Sequence, residues 1–127
     1  MEVRLQPLGD GTILDRETRL VWQQEDSGCE LAFPEALSYC SRLRLAGRTD
    51  WRLPTTSELS ALYEALSRLA GGALDCLLSP FHWSGAWYWT AAETNINFAY
   101  DLIVGLGDHT WFHRAVAAAR AVRSGAV

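Results

Sequence analysis

The sequence predicts an α+β domain, two helices flanking a small antiparallel sheet, with a long irregular loop ahead of the last strands. Three observations predict it. Short alternating segments bounded by turn residues open the chain. Two segments of helical period, each with start and stop signals, follow them. After an aperiodic stretch, strand-like segments return. Strands, then helices, then strands is the α+β plan. At 127 residues the chain is a single domain, 1–127, large enough to bury a core.

Residues 3–5 alternate enough for a short strand, and Gly9-Asp10-Gly11 is a turn signal. Thr12 to Leu14 and Arg19 to Gln23 read as a hairpin around Asp15-Arg16-Glu17, with Trp22 pointing to the core. The first helix is expected from Phe33 to Leu45. Pro34 suits its first position and Gly47 lies just past its end. Phe33, Ala36, Leu37, Cys40 and Leu43 form its apolar stripe. The second helix is expected from about Ser57 to Leu69, with Leu59, Leu62, Tyr63, Leu66 and Leu69 on its apolar face and Gly71-Gly72 as its stop. Gly71 to Trp87 has no period and reads as the long loop. Strands are expected at Tyr88 to Ala92, Asn97 to Val104, Thr110 to Ala117 and Ala118 to Arg123.

The stretch from Asp50 to Leu59 organises the rest. Pro54 keeps Leu53 extended, so the chain enters as strand or loop and leaves as helix. Thr55 and Glu58 have the spacing of a capping box. Trp51 is a large apolar payload whose N–H needs a partner if buried. Asp50 and Arg52 either bridge over the indole or each hold a neighbouring loop. Asp50, Trp51, Arg52, Pro54 and Glu58 are therefore read as a structural motif.

These residues also carry a resemblance. Gly47, Asp50-Trp51-Arg52-Leu53-Pro54-Thr55 and Glu58-Leu59 resemble the signature of the Lcl C-terminal domain family, a bacterial domain of unknown function. Thr12-Ile13-Leu14-Asp15 with Leu20-Val21-Trp22-Gln23, Tyr39-Cys40, Tyr88-Trp89-Thr90-Ala91 and Ala119-Arg120-Ala121-Val122-Arg123 resemble its other motifs, in order. The resemblance covers nearly the whole chain and implies a C-type-lectin-like fold, akin also to formylglycine-generating enzymes. It further implies a bridge between the cysteine after the tyrosine and one in the last strand. Here Cys40 stands at the first position and Ala121 at the second, so that bridge is absent. The family's adhesin member implies trimers and polyanion binding.

Composition narrows the function. Net charge is −4 and all eleven basic residues are Arg, which argues against nucleic acid and weakens a polyanion as ligand. No apolar run reaches the length of a membrane span. Met1-Glu2-Val3-Arg4 lacks the start of a secretory signal. Either the chain stays in the cytoplasm or a leader has been removed; the missing bridge favours the cytoplasm. Cys29, Cys40 and Cys76 form no C-x-x-C pair, so a zinc knuckle is not supported, although a bridge from Cys29 to one of the others stays open.

The second half supplies the candidate ligand site: Trp83, Trp87, Asn95, Asn97, Tyr100, His109, Trp111 and His113, with Tyr88 beside them. Indole faces stack on sugar C–H faces while amides take hydroxyls, and Trp and Tyr equally suit a protein partner. The competing reading places these aromatics in the core. His109 and His113 are four residues apart on an expected strand, about 13 Å by strand rise, too far to share one zinc. No metal or cofactor is expected. The sequence lacks the Glu-Pro-Asn and Trp-Asn-Asp motifs of calcium-dependent lectins, a late cysteine pair and a nucleophile elbow. A calcium-independent, non-enzymatic module that binds a protein or glycan is expected. The alternative is a structural or assembly domain, a homo-oligomer.

Overall fold

A computed structural model of the chain describes residues 4–70, 81, 87–97 and 115–124. The elements are β1 (Leu5–Pro7), β2 (Thr12–Asp15), β3 (Leu20–Gln23), α1 (Phe33–Arg42), α2 (Thr56–Ala70), β4 (Trp87–Trp89), β5 (Asn95–Asn97) and β6 (Val122–Ser124). The antiparallel sheet runs β1-β2-β3-β6, and β4-β5 form a separate antiparallel ribbon. The α+β architecture is therefore as the sequence predicts. Among the described residues no helix is long and apolar enough to cross a membrane.

Register sorts the side chains. Ile13 lies opposite Trp22 and Leu14 opposite Val21, and β6 sets Val122 against Trp22 and Arg123 against Val21. Because successive strand residues face opposite ways, Ile13, Leu20, Trp22 and Val122 fall on one face, and Leu14, Val21, Gln23 and Arg123 on the other. The first face packs on Leu59, Leu62, Tyr63 and Leu66 of α2. The second meets Ala36 and Cys40 of α1, with Trp51, Leu53 and Trp89. The sheet is thus the middle layer between two cores, which is why β3 is buried along its whole length.

The local signals set the helix starts. Pro34 stands within the first two positions of α1, where a missing N–H costs nothing. The Glu35 carboxylate accepts from the Ala32 N–H at 3.0 Å. The helix ends at Arg42, three residues before the expected Leu45. Leu43 turns extended, and the chain doubles back through a two-residue turn in which Ala46 (φ 55°) and Gly47 (φ 73°) are both left-handed. This reversal returns Leu43 and Leu45 to the second core. A continued helix would carry them past it. Leu37, placed on the buried stripe by its spacing, is 44% exposed.

The second-half strands are shorter than expected. β4 stops at Trp89 because the Thr90 N–H donates to the Thr94 carbonyl at 2.8 Å and closes a turn. β5 begins at Asn95, two residues early; 98–104 lies outside the described residues, as does 110–114 of the strand expected at Thr110 to Ala117, whose described end makes only an isolated bridge at Ala117. The closing segment pairs regularly only over Val122–Ser124. Residues 117–122 also stitch other parts together. Ala117 bridges Leu31, Ala118 bridges Tyr88, and Val122 exchanges two backbone bonds with Arg52.

Cys29 is exposed and Cys40 buried, both as free thiols. Burial pushes the Cys40 thiol up to about 12. In a Cys76→Ser background, an aromatic disulfide reagent at pH 8 is therefore expected to titrate one thiol quickly and the second only after denaturant is added. Two fast thiols would remove Cys40 from the core.

Candidate functional site

The Asp50–Glu58 stretch lies along the outer side of β6. Trp51 is only 4% exposed, and its indole N–H points to the Leu45 carbonyl at 3.4 Å, a long bond. Asp50 and Arg52 do not bridge over the indole; each holds a neighbouring segment. Asp50 accepts two bonds from Arg123 of β6, at 2.7 and 3.2 Å, and Arg123 holds the Asp50 carboxyl below its ordinary range. Arg52 donates two bonds to Glu58, at 2.7 and 2.8 Å. Pro54 is buried, and its carbonyl accepts from the Ala91 N–H at 2.8 Å.

Glu58 does double duty. Its carboxylate also accepts from the Thr55 N–H at 2.9 Å, and the Thr55 hydroxyl accepts from the Glu58 N–H at 3.2 Å, which is the capping box that the spacing predicts. The Arg52 bonds hold the Glu58 carboxyl below its ordinary range, against the opposing effect of burial, with help from Thr55. Glu58→Gln is expected to cost about 1 kcal/mol near neutral pH, since the Arg52 side of the pair is partly solvated. A lowered folded pKa gives stability above the unfolded value, about 4, that is lost as pH falls through the folded one. The melting temperatures of parent and variant should therefore converge between pH 5 and pH 2. A gap that stays constant to pH 2 would mean that the carboxylate charge contributes nothing.

A second constellation gathers at Arg120, which is 1% exposed. Its Nη1 donates to the carbonyls of Gln23, Gln24 and Glu25 at 2.8, 2.6 and 2.8 Å. Its Nη2 lies 3.7 Å from an Asp26 carboxylate oxygen, which also accepts from the Tyr88 hydroxyl at 2.6 Å. The guanidinium carbon stands 4.8 Å from the Phe81 ring centroid and 5.6 Å from that of Tyr88. Desolvation lowers the Arg120 pKa from its ordinary value. These groups fix the polar loop after β3 to the closing segment. No local spacing announces them, because their partners are far apart in sequence.

On the outer part of the second sheet face lies a cleft of about 350 Å³. Leu8, Leu14, Val21 and Trp51 give it an apolar lining, and Asp10, Thr12, Ala46, Arg19, Arg48 and Arg123 complete it. Asp10 is engaged by the Thr12 amide at 3.1 Å and by the Thr12 hydroxyl. Arg123 is tied to Asp50. Arg19 makes no ion pair among the described residues, and Arg48 acts on Asp50 only through its field. No spacing signal announces this cleft, whose walls draw on the 8–12 turn, the 16–19 loop and the 46–48 turn.

Of the aromatic set, Trp87 is half-buried in β4 and packs against the second core. Tyr88 is buried, and Asn95, fully buried, starts β5 opposite Trp89. Asn97 ends β5 opposite Trp87. Trp83, Tyr100, His109, Trp111 and His113 lie outside the described residues. Trp89 is buried, with its indole N–H donating to the Leu31 carbonyl at 2.8 Å.

Fold and site together define a small α+β domain whose central sheet is covered on both faces and whose signature stretch braces the last strand. The model of the Lcl C-terminal domain family matches residues 11–123, and the chain belongs to that family. No curated protein and no solved structure matches the chain.

Proposed function

We propose that this domain is a non-enzymatic, calcium-independent binding module for a protein or glycan, on a C-type-lectin-like fold. The observation that carries this reading is the concave cleft beside Trp51, where apolar walls converge with guanidinium groups, as in ligand pockets generally. The shifted carboxyl and guanidinium groups support it too. Asp15, Asp50, Glu58 and Arg120 each serve an ion pair that holds strands, loops or helix ends. None of the four is left over for acid–base work.

The aromatic face of 83–113 belongs to the same proposal. The burial of Tyr88 and Asn95 favours the other reading, an assembly domain whose aromatics are structural. Iodide quenching of tryptophan fluorescence, on the parent and on Trp111→Phe, separates the two. A sizeable quenched fraction that disappears with Trp111 supports an open aromatic surface. Little quenching, together with a concentration-dependent mass in ultracentrifugation, supports assembly.

A further inference from the structure

We propose that the cleft beside Trp51 recognises a single carboxylate carried on an apolar body, such as the terminal residue of a peptide or a small free carboxylic acid. The inference rests on the binding reading and names the ligand chemistry. In a chain of net charge −4, this cleft brings three arginines together around an indole. Arg123 is neutralised by Asp50, while Arg19 and Arg48 have no carboxylate within ion-pairing distance among the described residues. A planar guanidinium is suited to take a carboxylate with two parallel bonds. Leu14, Val21 and Trp51 then offer apolar surface to what the carboxylate is attached to. A volume near 350 Å³ fits one side chain or one small molecule, at the low end of ligand sites.

The backbone points the same way. Among the described residues three non-glycine positions have positive φ, Arg19 (64°), Ala46 (55°) and Glu93 (62°), and the first two line this cleft. Left-handed backbone is unfavourable for a side chain with a Cβ, and such strain concentrates at ligand sites. At position 19 the hairpin would close more easily with Asn or Gly, and it holds the one cation of that wall instead.

The test is a nuclear magnetic resonance screen of matched pairs on the full chain: aryl and alkyl carboxylates, each with its neutral primary amide, at about 10 mM, the weak-binding range. A peptide ending in Phe with a free or amidated C-terminus distinguishes a chain terminus from a free acid, and inorganic sulfate reports bare charge. Carboxylates are expected to shift the Trp51 indole N–H signal saturably, with their amides at least about ten-fold weaker. Arg48→Gln and Arg19→Asn are each expected to weaken binding by about ten-fold. Arg19→Asn should melt no lower than the parent, because Asn tolerates the left-handed backbone. Amides that bind as well as acids would overturn this inference and leave the binding reading intact. Sulfate that binds as tightly as the best acid would overturn the apolar half of the proposal. No saturable shift at Trp51 from any probe would overturn both the inference and the cleft as the module's site.

Discussion

Arg120→Ala is expected to cost about 3–5 kcal/mol, as the loss of one partner from a buried charge pair does. That is a large part of the stability of a domain this size. The substitution removes the donor shared by three carbonyls between Gln23 and Glu25 and takes the guanidinium away from the Asp26 carboxylate. Tyr88 still donates to that carboxylate, and so does the Gly28 amide at 2.8 Å, but neither neutralises its charge. Arg120→Lys keeps the charge and loses the planar fork, so it should recover only part of the stability. Arg120→Met combined with Asp26→Asn should be less damaging than Arg120→Ala, since no unpaired charge then remains. Urea unfolding with matched slopes checks the series. A loss below about 1 kcal/mol for Arg120→Ala would show that this ion pair is solvated.

Trp51→Ala is expected to cost about 3–5 kcal/mol by a different route. The indole is buried in the second core and also lines the cleft, so truncation leaves a cavity and opens that core to the cleft. Its N–H bond is long, so Trp51→Phe, which keeps most of the ring volume, should cost much less, about 1–2 kcal/mol. A Trp51→Ala protein that melts within a degree or two of the parent would refute this placement.

Where the sequence was readable, a physical constraint was local. The β2–β3 hairpin, the Pro54 boundary and the Thr55–Glu58 box each depend on residues within a few positions of one another. The end of α1 depends instead on a contact with a distant core. Helical spacing carries on through Leu43 and Leu45, and only the return of these leucines towards Trp51 explains the reversal at Ala46-Gly47. Leu37 shows the same limit: the period puts it on the stripe, but α1 buries only a narrow line through Ala36 and Cys40. The choice that sequence left open for Asp50 and Arg52 is decided by Arg123 and Glu58, one of them distant. The cleft was the least legible feature, because its cations look like ordinary surface charges until two separate turns and β6 bring them together.

The position of β6 has a consequence for biogenesis. This strand fills the place beside β3, and the residues around it secure Leu31, Arg52 and the loop after Gln23. The middle layer of the domain is therefore incomplete until almost the last residues of the sheet leave the ribosome. Until then β3 presents an unpaired edge, and Val21 and Trp22 lack their partners in β6. The nascent chain can form its hairpin and helices early, yet its cooperative folding must wait until β6 has emerged. Pairings that distant in sequence also make that final step slow relative to helix formation. A stalled chain that stops short of Val122 is expected to be cut readily by protease within the 16–30 region, where the completed domain resists.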